Sequence, residues 1–487
     1  MPARSRLKAT ICGEICVRVQ IPSPTLIYNN KLPITLEGIN VKKVWRKTFL
    51  SLLVTTVFMM PISALGNIGN QGTNNFSSET RLEGGWLEER NGVKILHLNG
   101  SYYEMGYQHG FFLKDEISQN LRARLVLFDQ HGFGYDYFVQ IWKTMEKYLP
   151  QEYKDEIAGM ADGSGLDIEE IIVFNTMPAV VNYMFGCSEL AVWGDATTDG
   201  KLYHVRGLDG HNTADPETGI SRAENIVLIV RDPETAHASM CIEDAGSICC
   251  WSGINEKGIS IGEDTIITND TTFHGISAAF RMRMVLDYAD TAEEAIEIMN
   301  NNRTCGWNFV ISDGNVPIAY AIEQTANYTY VGTWDNAVEA IEPFWQIKDT
   351  IRRVNLFLNP ELTPLETGRL RYDPSGLQSI LWLLQGKSQA FIPWRHYYAL
   401  SNEIENHYGI LDLHSTMSMF RDEYSGKTDF LMFIINRVLG SYQSIFQFVA
   451  CPENGDMVFS IANRDSLAYE NPVHYVNLYN MLDKTPP

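Results

Sequence analysis

The stretch Phe185-Gly186-Cys187-Ser188-Glu189-Leu190 marks a change in the character of the chain. Before it the sequence is mainly of helical pattern, whereas short β-like runs separated by turn residues follow Cys187. A small residue precedes the cysteine, and the strand-like run after it would hold the side chain rigidly at the end of a sheet. We therefore interpret Gly186–Cys187 as a bond that is cut, with Cys187 as the new N-terminal residue and nucleophile.

An N-terminal cysteine carries both groups that such a reaction needs. Its thiol can accept the acyl group of the preceding residue, and hydrolysis then frees an α-amine whose unperturbed pKa is about 7.7–8.0. That amine can take the thiol proton, so no histidine is required. Two alternatives stay open: Cys187 is a buried structural cysteine, or it pairs with His204 or His211 in a chain that is not cut.

Composition limits the class of protein. The chain has 487 residues, 45% of them apolar, and a formal net charge of −21. Such acidity argues against nucleic acid or an anionic membrane surface as a partner. The eight cysteines form no CxxC pair, so we expect no zinc site. One or two disulfides are possible in an exported protein, and the candidates are Cys241, Cys249, Cys250, Cys305 and Cys451.

The first 66 residues read as a spurious extension (1–40) followed by an export signal. Basic residues at 42–47, an apolar run at 49–60 and small residues near 64–66 are typical of a signal peptide. An uncleaved membrane anchor is the alternative. Residues 67–81, rich in Gly, Asn and Ser, are predicted to be a linker. We expect a secreted or extracytoplasmic protein that contacts the membrane only if the N-terminal segment is retained.

The order of elements predicts a layered α+β fold, because antiparallel-type strands and helices are segregated along the chain. Strand patterns recur between Leu190 and Glu323, and Asn454-Gly455 marks a late hairpin of residues 444–450 and 456–461. Helical patterns cover 102–125, with a capping box of Ser101 and Glu104, and then 137–149, 150–165, 291–299 and much of 345–435.

A series of short motifs carries a resemblance to a known family. In order they are Tyr103-Glu104-Met105-Gly106-Tyr107-Gln108-His109-Gly110, Gly186-Cys187-Ser188, Asp199-Gly200, Arg206-Gly207-Leu208-Asp209, Gly253-Ile254-Asn255-Glu256-Lys257-Gly258 and Val354-Asn355-Leu356-Phe357-Leu358. Together they resemble the peptidase C45 family, typified by acyl-coenzyme A:6-aminopenicillanic acid acyltransferase, within the N-terminal-nucleophile (Ntn) hydrolases. The resemblance spans residues 85–465.

The resemblance implies a four-layer αββα sandwich of two antiparallel sheets flanked by helices. It divides the mature protein into a helical segment (82–186) and a catalytic segment (187–487) made from one precursor. Cys187 would be nucleophile and α-amine base, Asp209 would hold the amine, and Arg206 would steady the thiolate. Asn355 would donate to the oxyanion, with Asn308 as a competing donor.

The implied reaction is attack of Cys187 on a linear amide of a small N-acyl substrate, through a thioester, with no metal or organic cofactor. A phospholipase-B-like lipid hydrolase and a non-catalytic binding protein of the same fold are the alternatives. The alternative for Arg206 and Asp209 is a surface ion pair, which would contribute little by itself. Trp251, Trp307 and Phe309 would line an acyl pocket or fill the core.

Overall fold

The computed structural model describes residues 76–183, 187–367, 391–434, 436 and 443–486. The predicted extension, the export signal and Gly186 lie outside the described residues, as does the linker except for its last residues, which belong to the first strand. Two sheets form the centre of this part of the chain. The larger contains β1 (Phe76–Leu82), β2 (Gly85–Arg90), β3 (Val93–Gly100), β6 (Ile226–Pro233), β7 (Ser239–Asp244), β8 (Gly253–Asn255), β9 (Ile259–Thr265), β10 (Trp307–Asp313), β11 (Ile318–Gln324) and β12 (Thr329–Gly332), side by side in this order.

Within the described residues, the smaller sheet has six strands and includes the strand that begins at Cys187. Its strands lie in the order β13 (Thr350–Val354), β4 (Cys187–Gly194), β5 (Gly200–Asp209), β14 (Ser444–Cys451), β15 (Asp456–Ile461) and β16 (His474–Asn477). The antiparallel pairing of β14 with β15 confirms the predicted late hairpin.

Helices cover the outer face of each sheet. The described helices are α1 (Tyr102–Phe112), α2 (Lys114–Gln130), α3 (Tyr135–Met145), α4 (Gln151–Ser164), α5 (Ile168–Thr176), α6 (Ala278–Tyr288), α7 (Ala292–Asn300), α8 (Phe391–Asn406), α9 (Leu413–Ser425), α10 (Phe430–Phe433) and α11 (Leu478–Met481). None of these has the length and apolar character that a bilayer-crossing helix requires.

The layers follow from which elements touch. Helices α1, α6 and α7 pack on the larger sheet, and α8 and α9 pack on the smaller one, while β4 and β5 face β9 and β10. Apolar residues fill each gap; Leu190 and Val205, for example, pack against Phe420 of α9. The predicted four-layer αββα sandwich is confirmed. One detail differs, because β3 and β6 pair in parallel within the otherwise antiparallel larger sheet.

Local signals explain the helix boundaries. Ser101 and Glu104 form the expected capping box at the start of α1. The predicted single helix over 102–125 is wrong, since the backbone leaves helical geometry at Leu113 and separates α1 from α2. Helix α7 is capped by the side chain of Thr291 and begins at Ala292, one residue later than the predicted range 291–299.

The helical pattern predicted for 345–435 is wrong over its first part. Residues Thr350–Val354 form β13, an edge strand that pairs with β4 from Ser188 to Val192. This pairing brings Asn355, directly after β13, to the first residue of β4. Tertiary pairing therefore overrides the local pattern, as is common for strands whose stability comes from cross-strand contacts.

Candidate active site

Cys187 is the first residue of β4 and is fully buried. It lies opposite Leu208 of β5, and two residues further on Glu189 lies opposite Arg206. Because side chains alternate along a strand, this register places the side chains of Cys187, Glu189 and Arg206 on the same face of the smaller sheet. The nucleophile candidate and the Arg-x-x-Asp motif are therefore assembled by one hairpin.

The Arg206 guanidinium lies directly against the thiol. Its Nη2 is 2.9 Å from Cys187 Sγ and 2.5 Å from Oε1 of Glu263 on β9. The same Glu263 oxygen is 4.0 Å from Cys187 Sγ. A cation at this distance would stabilise a thiolate, and a carboxylate so close could accept the thiol proton.

Burial determines the charge state of this group. It raises the pKa of the Cys187 thiol well above its usual value, even though Arg206 acts in the opposite direction. It also raises the pKa of Glu263 to about 7 and that of Asp264 to about 8. The pKa of Glu189 is raised well above the usual range by burial and by Asp264. In the intact chain the thiol is therefore protonated at neutral pH, and it needs a proton acceptor before it can attack.

Asn355 contacts the backbone of Cys187. Its Oδ1 accepts a hydrogen bond from the Cys187 N–H over 2.7 Å, and its Nδ2 donates to the Thr265 carbonyl over 3.0 Å. Asn355 therefore lies beside Cys187, while its predicted role toward an oxyanion stays a prediction. Its amide N–H is engaged by Thr265, so the side chain acts here as a hydrogen-bond acceptor for the Cys187 backbone nitrogen.

Asn308 supports Asn355 and does not contact Cys187. Its Nδ2 donates to the carbonyls of Val354 and Leu356, which flank Asn355, over 2.8 and 2.7 Å. Both side-chain N–H groups are thereby used to hold the turn that presents Asn355. Asn308 is thus part of the site, but its arrangement is that of a positioning residue.

Asp209 lies at the end of β5 and is buried, which argues against the reading as a surface ion pair. Its Oδ2 accepts a hydrogen bond from the Tyr424 hydroxyl over 2.9 Å. Burial raises the pKa of Asp209 to about 7, although His396, Tyr424 and Arg206 lower it. The predicted contact with an α-amine stays a prediction, since the Cys187 nitrogen still belongs to an uncut peptide.

Among the described residues, neither His204 nor His211 forms a hydrogen bond with the Cys187 sulfur. His204 forms a 2.8 Å hydrogen bond with Ser312, and burial lowers the pKa of its ring to about 3. His211 is exposed in the loop after β5. Across the described part of the chain, the hydrogen bonds of the Cys187 sulfur involve Arg206 and Glu263, so the geometry gives no support to a Cys-His pair.

The aromatic residues that were candidates for an acyl pocket lie in the hydrophobic core. These residues, Trp251, Trp307 and Phe309, are buried, and the centre of the Trp307 ring lies 6.1–6.4 Å from the ring centres of the other two. His109 is also buried, and its Nε2 accepts from the Gly246 N–H over 3.0 Å.

One group of side chains away from Cys187 has metal-ligand chemistry. One ligand atom from each of three residues, Cys241, Glu243 and Cys250, lies within 4.8 Å of the other two. The sequence has no CxxC pair that would have indicated this group. The Arg231 guanidinium donates to Cys241 Sγ over 2.7 Å, and its positive charge would oppose a cation there. The described cysteines, including these two, are unbridged.

Sequence reasoning missed two residues that reach the site. Glu263 follows the strand run Ile259-Ser260-Ile261-Gly262, and a carboxylate within a buried strand is the signal that could have identified it. Tyr424 gave no such signal, because its position on α9 fits an ordinary buried helix face.

Comparisons with known proteins agree with the motifs from Arg206 onward. Residues 206–412 match the model of the family described as acyl-coenzyme A:6-aminopenicillanic acid acyl-transferase. The chain is 24% identical to the 40 kDa form of acyl-coenzyme A:6-aminopenicillanic-acid-acyltransferase from Emericella nidulans, over 47% of this chain and 63% of that protein. It is 26% identical to protein dcd1B of Dictyostelium discoideum, over 45% and 47%.

Two solved structures are similar at low identity. The N-acylethanolamine-hydrolyzing acid amidase ortholog of Caenorhabditis elegans shares 12% identity at a TM-score of 0.32, with 60% of this chain and 100% of that chain covered. A conjugated bile acid hydrolase mutant from Clostridium perfringens shares 13% at 0.34, with 60% and 93% covered.

The chain spans about half the length of the curated relatives it matches, with 42–63% of those relatives covered. The predicted resemblance to the acyl-coenzyme A:6-aminopenicillanic acid acyl-transferase family is confirmed by the match over residues 206–412.

Proposed function

We propose that this chain is a cysteine amidohydrolase or acyltransferase that cuts itself before Cys187 and then acts on the linear amide of a small N-acyl substrate. The observation that carries the proposal is the convergence of partners on one residue. Arg206 and Glu263 contact the sulfur of Cys187, and Asn355 contacts its nitrogen, at the start of a strand. The family match supports acyl transfer or amide hydrolysis as the reaction class.

The first step is self-cleavage. The Cys187 proton passes to Glu263, and the thiolate, paired with Arg206, attacks the carbonyl carbon of residue 186. The C–N bond then breaks, the nitrogen of Cys187 takes the proton that Glu263 received, and a thioester joins residue 186 to the Cys187 sulfur. Water hydrolyses the thioester, which leaves a carboxylate on Gly186 and a free α-amine on Cys187. In the uncut chain, Asn355 Oδ1 accepts a hydrogen bond from that nitrogen.

The second reaction uses the new amine. The freed α-amine accepts the thiol proton, so that Cys187 attacks the substrate carbonyl and forms a thioester acyl-enzyme. Water or an acceptor amine then takes the acyl group. Asp209, buried at the end of β5, supplies a carboxyl to balance the ammonium form of the amine. No step in this scheme requires a metal or an organic cofactor.

We also propose that residues 42–66 direct export, so that the protein acts outside the cytoplasm. N-terminal sequencing of the product from the native host tests this and the self-cleavage together, because it gives the start of both fragments.

Gel electrophoresis with intact-mass measurement of wild type and Cys187→Ala tests the proposed self-cleavage. We expect two fragments from wild type, with the second beginning at Cys187, and a single chain from the variant. A wild-type protein that stays uncut yet hydrolyses N-acyl amides would instead favour an uncleaved thiol hydrolase.

Parallel assays on N-acyl amides and phospholipids separate the amidase from a phospholipase-B-like enzyme. Failure of iodoacetamide to label Cys187 would favour a binding protein.

A further inference from the structure

Tyr424 of α9 reaches the nucleophile strand from the helical layer outside the smaller sheet. Its hydroxyl is 2.7 Å from Ser188 Oγ and 2.9 Å from Asp209 Oδ2. Ser188 directly follows the nucleophile, and Asp209 ends the neighbouring strand. One hydroxyl therefore links the two strands on the face opposite to the Cys187 and Arg206 side chains. All three side chains are buried.

The sequence of β5 makes room for this contact. Gly207 lies opposite Ser188 in the β4–β5 pair. A Cβ at Gly207 would stand 2.6 Å from the Tyr424 hydroxyl oxygen and 3.0 Å from Phe420 Cζ. Only a residue without a side chain permits that approach, so the glycine inside Arg206-Gly207-Leu208-Asp209 has a defined steric reason.

A phenol has one proton to share between these two partners. When Asp209 is ionised, Tyr424 donates to it and accepts from the Ser188 hydroxyl. When Asp209 is protonated, the carboxyl donates to Tyr424, and Tyr424 donates to Ser188. We propose that Tyr424 is a positioning residue for the reaction at Cys187, which holds Asp209 and Ser188 in a hydrogen-bonded chain whose direction follows the charge of Asp209.

Neighbouring charged groups shift the pKa of the Asp209 carboxyl. Behind Tyr424, the His396 ring on α8 pairs with Glu423 over 3.1 Å and meets the Tyr424 ring edge-on at 4.8 Å. His396 and Arg206 favour the ionised form of Asp209, whereas Glu423 disfavours it. The titratable or charged groups that interact electrostatically with Asp209 are His396 of α8, Glu423 and Tyr424 of α9 and, across the sheet, Arg206 of β5, Cys187 of β4 and Asp264 of β9.

The variant Tyr424→Phe tests the proposal, which rests on the proposed function for its activity readout. The phenyl ring keeps its packing while the hydroxyl is lost. We expect self-cleavage and amide hydrolysis to slow about 10-fold or more at neutral pH. Because a donor to ionised Asp209 is lost, the acid limb of the pH profile should move to higher pH, by on the order of one unit. Tyr397→Phe is the matched control, since Tyr397 is a buried tyrosine of α8 whose hydroxyl has no hydrogen-bond partner among the described residues.

A second measurement does not depend on activity. In a Cys187→Ala background, the denaturant midpoint of Tyr424→Phe should fall further below its parent at pH 9 than at pH 5, because the lost hydroxyl matters most to a charged carboxyl. Tyr397→Phe should show the same small change at both values. An equal loss at both pH values, or an unmoved pH profile with normal rates, would overturn the proposal. If the wild-type protein stays uncut and inactive, the proposed function is refuted. The denaturant midpoints at pH 5 and pH 9 would still test the hydrogen bond between Tyr424 and Asp209.

Discussion

Asn355 Oδ1 accepts a hydrogen bond from the Cys187 N–H over 2.7 Å, although 168 residues separate the two in the chain. The contact holds the nitrogen of the bond that the proposed reaction breaks. Asn308 fixes this arrangement through the carbonyls on both sides of Asn355. The acceptor role differs from the oxyanion-donor role that the motif suggests, and the two can be separated by experiment.

Asn355→Ala should slow self-cleavage about 10–100-fold, because it removes one buried hydrogen bond of about 1–3 kcal/mol. Asn355→Asp keeps an oxygen beside the Cys187 nitrogen, and its protonated form can still donate to Thr265. If the acceptor role matters, Asn355→Asp at pH 6 should be clearly faster than Asn355→Ala. Equal rates for the two variants in a time course of fragment formation would favour an oxyanion-donor role instead.

Glu263→Gln should slow self-cleavage about 100-fold or more, since a positioned general base contributes 10²–10⁴-fold. The wild-type rate should rise between pH 6 and 8, as Glu263 ionises with a pKa of about 7, and the variant should lose that rise. Quenched time courses after refolding at each pH give both results. Glu189→Gln is the control, because Glu189 is also a buried carboxyl opposite Arg206 but has no hydrogen bond with Cys187 Sγ. A similar pH profile in Glu263→Gln would rule out Glu263 as the base.

The buried carboxyls should make the protein less stable as pH rises. Burial raises the pKa of Glu263 to about 7 and of Asp264 to about 8, so the native state holds these protons more tightly than the unfolded chain. Their stabilisation is complete below the unfolded values, near pH 4, and is lost as pH rises through 7–8. Denaturant melts of the Cys187→Ala protein should show this decline. Asp264→Asn should flatten it, whereas the exposed Glu297→Gln should leave it unchanged.

The α1–α4 contact should not tolerate a single added methyl group. A Cβ at Gly159 would lie 2.0 Å from the Tyr103 carbonyl oxygen, and the backbone there cannot yield as a flexible side chain would. We expect Gly159→Ala to lower the free energy of unfolding by about 3 kcal/mol or more, which is the upper part of the overpacking range. Gly134→Ala is the control, since its φ is −79° and no atom lies within 4 Å of the added carbon. A loss below about 1 kcal/mol in Gly159→Ala would show that the helices can separate cheaply.

Particular residues show how far sequence reasoning reached. The hairpin that joins Cys187 to Arg206 was predictable, because strand period and the Asp199-Gly200 turn are local signals. The strand Thr350–Val354 was not, since its pairing with β4 involves residues about 160 positions away. Glu263 and Tyr424 were missed for the same reason, as each becomes part of the site only when another layer packs on the nucleophile strand.

The sequence by itself determined the layered α+β architecture, the position of Cys187 at the start of a strand, and the position of Arg206 and Asp209 at the end of the next strand. These follow from periodicities and turn residues that act over a few positions. Only the tertiary structure decided what each side chain touches. It brought the Asn355 oxygen within hydrogen-bond distance of the Cys187 nitrogen, and it paired Glu263 with Arg206 and Tyr424 with Asp209. These contacts form because a buried polar group without a hydrogen bond is costly, and its partner can come from any layer that packs against it.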